Sequence, residues 1–171
     1  MEIVTFLNEN HIKTDANNLF TAQYSLIKAI LPNADVQHVG STAIPNSLTK
    51  GDLDIQVRVK YDEFQFAVEE LSKIYSPNDG SVVTESFRAF KDDTTTPPLG
   101  IQLTVINSEF DFFWKFRDVL LSNDSYRQEY DELKREYEGK DMEKYRQAKN
   151  TFFEWLKGTP EFKNLLNSQD H

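Results

Sequence analysis

One stretch constrains the fold more than any other: His38-Val-Gly-Ser-Thr-Ala-Ile-Pro45, followed shortly by Lys50-Gly-Asp-Leu-Asp-Ile-Gln-Val57. A short apolar strand runs into Gly40-Ser41. After a loop, a second apolar strand carries Asp52 and Asp54. Side chains of a strand alternate between faces, so the two carboxylates project the same way. Acids are disfavoured in strands, and a ligand or metal site explains this pair better than protection of a sheet edge does. Hard cations such as Mg²⁺ or Mn²⁺ take one or two carboxylates and complete their shell with phosphate oxygens and water. A Gly-Ser turn can be a turn and nothing more. Beside a carboxylate strand, though, its backbone N–H groups and hydroxyl suit phosphate. Gly40, Ser41 and Thr42 are therefore candidate phosphate contacts, and Asp52 and Asp54 candidate metal ligands. Lys50 lies between the two groups, where a loop lysine is as readily just solvated.

The remaining pattern predicts an α+β chain. Apolar residues at helical spacing over 15–31 and 61–75 read as helices. Asp35–Val39, Leu53–Val59 and 100–106 read as strands, and 81–90 is rich in β-formers. The polar 91–98 segment ends in Pro-Pro and reads as a loop. Beyond Ser108 everything looks helical, in segments 109–121, 124–137, 142–156 and a short one after Pro160. Strands followed by helices predict a mixed sheet with helices packed on it. The expected organisation is an α/β core over 1–107 and a helical segment over 108–171, packed together as one unit.

Charge and composition narrow the partners. The formal net charge is −9 at pH 7. An acidic surface repels phosphate backbones, so extended nucleic-acid binding is not expected, although a local basic pocket is compatible with that charge. The chain has no cysteine, which excludes disulfides and thiolate metal sites and fits a cytoplasmic location. No stretch reaches the roughly 20 apolar residues of a membrane span, and the first residues do not read as a secretion signal. A Walker-type lysine loop, a Gly-x-Ser-x-Gly elbow and a His-Glu-x-x-His helix are all absent.

Taken in order, these segments resemble the GrpB family, a group with a nucleotidyltransferase-like fold in the superfamily of DNA polymerase beta. The resemblance runs from about residue 20 to 157. It is carried by the His38–Pro45 motif, the Asp-bearing strand, Arg88-Ala-Phe-Lys91, Leu103-Thr-Val-Ile106, Phe116-Arg117-Asp118, Tyr130-x-x-Leu133-Lys134 and Tyr145-x-x-x-Lys149. It implies a nucleoside triphosphate or another phosphorylated small molecule as ligand, Mg²⁺ or Mn²⁺ as cofactor, and nucleotidyl transfer to an acceptor. Asp52 and Asp54 would be catalytic. Arg88, Lys91 and Lys149 would offset phosphate charge. The chain departs from the pattern at two points. The family's usual Asp falls on Asp54, which leaves Gln56 at the next alternate position and Asp52 where an apolar residue is common. The superfamily's third carboxylate has no counterpart: the 100–106 strand offers Gln102 and Thr104 on one face. The alternative is thus a module of the same fold that binds a phosphorylated metabolite or a protein partner without turnover. Plainer readings stand beside several residues. Lys134 and Lys149 also fit as lysines snorkelling along packed helices, the tyrosine and phenylalanine stripes read as core, and His38 reads as a hydrogen-bonded structural histidine. The other histidines, His11 and His171, lie near the ends.

Overall fold

Strand β2 (Leu53–Val59) lies second in a five-stranded sheet of order β1-β2-β5-β4-β3. In this computed structural model, which describes residues 1–6 and 10–168, β2 pairs antiparallel with β1 (Asp35–Val39) and parallel with β5 (Leu99–Val105). Strand β4 (Phe87–Asp92) continues the sheet from β5, and β3 (Ser76–Pro77) closes it. Leu53, Ile55, Val57 and Val59 enter the main core with Leu99, Ile101, Leu103 and Val105. Helices α1 (Asn10–Ile30) and α2 (Phe64–Ser72) supply the apolar residues that cover this face. Burial of these aliphatic side chains, at roughly 1.5–3 kcal/mol each, is what commits the strands to this orientation.

Four helices follow: α3 (Phe113–Ser122), α4 (Asp124–Tyr137), α5 (Met142–Lys157) and α6 (Pro160–Ser168). They bury a second cluster containing Ile44, Val119, Leu120, Tyr130, Leu156 and Phe162. The aromatic stripes of α4 and α5 are thus core, as their spacing predicts. Asn123 caps α4 by accepting from the Ser125 and Tyr126 amides, a favoured N-cap arrangement. The chain's first residues are clasped to the α4–α5 turn. Val4 donates its amide to Lys140 O and accepts from the Gly139 amide, while Phe6 meets the Tyr145 ring edge-on.

Helix α1 begins five residues before the expected 15 and α2 covers only part of the expected 61–75, and two further departures have a clear physical reason. Strand character over 81–90 is confined to β4, which begins at Phe87. Val82 and Val83 are 57% and 71% exposed, and β-propensity without a packed face does not make a strand. The helix expected from 109 begins at Phe113. Asn107 is left-handed there (φ 66°), and its amide donates to Asp111 Oδ2, which holds the preceding residues in a turn. His171 lies outside the described residues. Among those residues, no helix is long and apolar enough to cross a membrane.

Candidate functional site

The second face of the sheet is polar, and its polarity has a register. Val39, Asp54 and Gly100 stand side by side across β1, β2 and β5; so do Gln37, Gln56 and Gln102, and then Asp35, Arg58 and Thr104. The lower rows are consumed by an internal network. Asp111 Oδ1 and Oδ2 accept from Arg58 Nε and Nη2, both at 2.7 Å. Gln56 Nε2 donates to Thr104 Oγ1 and Asp111 Oδ1, and its Oε1 accepts the Trp114 amide. Gln56 and Thr104 are fully buried. The position where a further acid was conceivable is therefore a structural glutamine. Thr104, expected to touch ligand, is instead its hydrogen-bond acceptor, away from the cavity.

The upper row opens into a cavity of about 480 Å³. Gly40, at the end of β1, has φ +76°, a conformation that side chains strongly disfavour. A Cβ at Gly40 would lie 2.5 Å from Asp54 Oδ2, and one at Gly100 would lie 3.1 Å from Oδ1. The Asp54 carboxylate thus sits in a slot between two glycines, with the Gln102 side chain beside it. Asp52, Ser41 and Lys50 line the same end, and Lys149 reaches it from α5. Burial pushes the Asp54 carboxyl up to about 6; Lys149 opposes the rise, Asp52 adds to it, and Lys50 and a hydrogen bond from Gln102 oppose it. Burial likewise lowers the Lys149 ammonium, against the pull of Asp54.

Five basic side chains line the cavity: Lys50, Arg117, Lys134, Lys149 and Lys157. Three carboxylates join them, Asp52, Asp54 and Glu154. In a chain of net charge −9 this is a local positive excess, the condition for drawing an anion into one pocket. Some of these cations are already engaged. Arg117 donates to His38 O and pairs with Asp118, Lys157 pairs with Glu154, and Lys134 is bound to Asp131 and the 47–48 backbone region. Lys50 and Lys149 form no ion pair within 4 Å among the described residues, and both belong to the Asp54 end. At the other end Phe112, Phe116, Phe153 and Leu120 form an apolar wall.

The remaining expected residues are placed as follows. Thr42 is buried outside the cavity lining. Its hydroxyl donates to Asp52 O and meets His38 Nε2 at 2.9 Å, so it shapes the loop rather than facing the ligand. Ser41 Oγ donates to Thr49 Oγ1, which also accepts the Gly51 amide. Arg88 is on the wrong face. It registers with Leu103 of the core, lies over the Phe64 ring, and donates to Thr84 O and Phe87 O. Lys91 has the right parity, opposite Gly100, but its ammonium pairs with Asp93 outside the cavity. The basic strand motif therefore supplies no cation here; α5 does, through Lys149. Sequence reasoning missed Asp111 and Asp131. Both are acids on or near helices, where a carboxylate ordinarily reads as solvated, and only their burial reveals them.

His38 stacks on Phe20. Burial, with Arg117 nearby, pulls its pKa down to about 4 from 6.5. Between those values the unfolded chain binds a proton that the folded chain does not. Stability is therefore complete above pH 6.5 and is lost as pH falls toward 4, with a limiting slope of about 1.4 kcal/mol per pH unit and less for a partly exposed ring. Asp54, raised in the folded state, acts with the opposite sign between about pH 4 and 6. Comparing wild type with His38→Gln cancels it. In urea unfolding at several pH values from 4.5 to 6.5, wild type should gain stability relative to the variant as pH rises; a constant difference would mean that His38 does not titrate this way.

The donor set bears on a metal. Among the described residues there is no group of three or more His, Cys, Asp or Glu side chains placed to hold an ion. Asp52 and Asp54 suit one Mg²⁺ or Mn²⁺ whose shell is completed by ligand oxygens. They do not suit a pair of ions bridged by protein acids alone.

Residues 11–158 match the family model described as GrpB protein. A UPF0157 protein of Vibrio cholerae serotype O1 is 33% identical over 153 residues, covering 90% of this chain and 81% of that protein. Among solved structures, conserved protein GrpB from Enterococcus faecalis matches with TM-score 0.67 at 20% identity, over 91% of this chain and 95% of that one. The Cid1 poly(U) polymerase bound to MgATP matches with TM-score 0.51 at 13% identity, over 71% of this chain and 41% of that one. The α+β architecture is thus nucleotidyltransferase-like.

Proposed function

The chain belongs to the GrpB family, and from that premise and the cavity's geometry we propose that it binds a nucleoside triphosphate with Mg²⁺ and transfers a nucleotidyl group to an acceptor. One observation carries the reading. The Asp54 carboxylate is wedged between Gly40 and Gly100, so acid and Gly-Ser turn form one continuous surface. Triphosphate oxygens meet the backbone and hydroxyl of Gly40-Ser41, with Lys50 and Lys149 as counter-charges. Asp52 and Asp54 hold the ion, which when bound supplies charge stabilisation at the phosphates. The aromatic wall takes the less polar part of the ligand. In the transfer, an acceptor hydroxyl oxygen bonds to the α-phosphorus. The bond from that phosphorus to the bridging oxygen breaks, pyrophosphate leaves with its electron pair, and the hydroxyl proton passes to solvent. Catalysis of this kind is mostly positioning and electrostatics.

A second reading keeps the binding and removes the turnover. It is favoured by Gln102, an amide beside Asp54 where a further acid would be needed to hold a second ion. Calorimetric titration with MgATP addresses the shared part. Asp54→Asn should weaken Mg²⁺-dependent affinity at least about tenfold, equivalent to roughly 1.4 kcal/mol, and equal affinities would remove Asp54 from the site. Incubation with each labelled nucleoside triphosphate, Mg²⁺ and cell extract then separates the readings. Pyrophosphate release that vanishes in Asp52→Asn/Asp54→Asn supports transfer, whereas binding without release leaves the module.

A further inference from the structure

The loop over 44–49 joins the Gly-Ser turn to Lys50 and Asp52; the Ser47 amide donates to Ile44 O, and Thr49 takes part in a β-bridge. It includes a left-handed residue, Asn46 (φ 65°), and is followed by another, Gly51 (φ 101°). Its backbone is also met by side chains of distant helices. Asp131 Oδ1 accepts from Ser47 Oγ and from the Leu48 amide, both at 3.0 Å. Lys134 Nζ donates to Ser47 Oγ at 3.0 Å and to Leu48 O at 2.5 Å. Arg127, one turn earlier on α4, donates to Asn46 O and to Asp131 Oδ2. From α1, Lys13 Nζ donates to Ile44 O. Asp131 and Lys134 are each 1% exposed. Residues at i, i+4 and i+7 share one helix face, so Arg127, Asp131 and Lys134 form a single rail on α4. Charges buried this deeply persist only where partners satisfy them, and here the loop adds its groups to Arg127 and to the Asp131–Lys134 pair itself.

We propose that Asp131 and Lys134 are positioning residues: they set the 44–49 loop, and through it place Ser41 and Lys50 for the ligand's phosphates. This rests on the phosphate reading of the cavity. The coupling is direct in the chain. Ser41 Oγ donates to Thr49 Oγ1, and Thr49 follows the clamped Leu48. The C-terminal helices thus contribute to the site twice, with Lys149 at its Asp54 end and with a rail whose Lys134 also borders the cavity.

The test uses the full chain with Lys134→Met, Ser47→Ala and the double variant. Met keeps the length of the lysine stem, and Arg127 still pairs with Asp131. Hydrogen–deuterium exchange without ligand reads the clamp alone. Lys134→Met should speed exchange of the 44–51 amides about tenfold, the loss expected for a hydrogen bond to a charged group, while β2 and β5 amides keep wild-type rates. Calorimetry with Mg²⁺ and inorganic tripolyphosphate reads the consequence: about tenfold weaker binding in Lys134→Met, weaker binding also in Ser47→Ala, whose side chain is in the clamp but not in the cavity lining, no further loss in the double variant, and partial recovery in Lys134→Arg. Unchanged loop exchange, or exchange that rises equally across the sheet, overturns the proposal, as does unaltered tripolyphosphate affinity in a variant whose loop has loosened. A wild type that binds no tripolyphosphate defeats the phosphate reading on its own account, and the exchange result still decides the clamp.

Discussion

Gly40→Ala should abolish Mg²⁺-nucleotide binding and lower the melting temperature by roughly 5–10 °C. Two effects combine. At φ +76° an L side chain costs about 1–2 kcal/mol relative to glycine. The new methyl would also lie 2.5 Å from Asp54 Oδ2, closer than nonbonded atoms tolerate. On the β5 side the carboxylate already reaches the space that a Cβ at Gly100 would fill, so it must rotate out of its slot or β1 must move. Either way the proposed ion loses a ligand. A total of about 2–3 kcal/mol at 2–4 °C per kcal/mol in a chain of this size gives the quoted shift. Gly80→Ala is the control, since a Cβ there meets nothing within 4 Å. Thermal unfolding and calorimetry of the two variants check the argument; a Gly40→Ala protein that melts and binds like Gly80→Ala would mean that no such slot exists.

Asp111→Ala should be the most destabilising single change on the polar face, costing about 3–5 kcal/mol and roughly 10 °C or more in melting temperature. Asp111 accepts two hydrogen bonds from Arg58, one from Gln56 and one from the Asn107 amide. Without it, the Arg58 guanidinium keeps, among the described residues, one carboxylate partner, Asp35, which is 43% exposed, and the face of the Trp114 ring. The loss comes mainly from stranding a buried charge, not from the worth of the ion pair. Arg58→Met in the same protein should therefore recover a substantial part of the stability. Melting curves of the single and double variants measure this. A double variant no more stable than Asp111→Ala would place the cost in the 106–112 turn instead.

The sequence made the site's near half legible because its residues are close in the chain and governed by a period of two. Asp35–Val39, Leu53–Val59 and the turn between them follow from apolar alternation and a glycine. Arg88 shows the limit. Its motif placed a cation near the site, but a strand residue's face depends on register with its neighbour, and Arg88 stands opposite Leu103. Of the cations that line the cavity, Lys50 belongs to this local segment, whereas Arg117, Lys134, Lys149 and Lys157 come from helices whose orientation is set by packing of Tyr130, Leu156 and Phe162. No local pattern encodes that orientation. Gln56 looked like a weakened ligand position. In the fold it is the donor and acceptor joining β5, Asp111 and α3, separated from Asp111 by 55 residues.

Strand β2 carries the aliphatic core on one face and the acid slot and Asp111 network on the other. It has no idle side. Inserting or deleting a single residue within β2 would therefore exchange the two faces on one side of the change: aliphatic side chains would point toward the polar network, and polar ones into the core. Length variation among relatives should be purged from this segment, even where individual residues drift, and should collect where the chain is committed to neither face. The exposed 78–86 stretch, with Val82 and Val83 in solvent, is such a place. The length and register of the acidic strand would then be inherited as a unit, more durable than the identity of any residue within it.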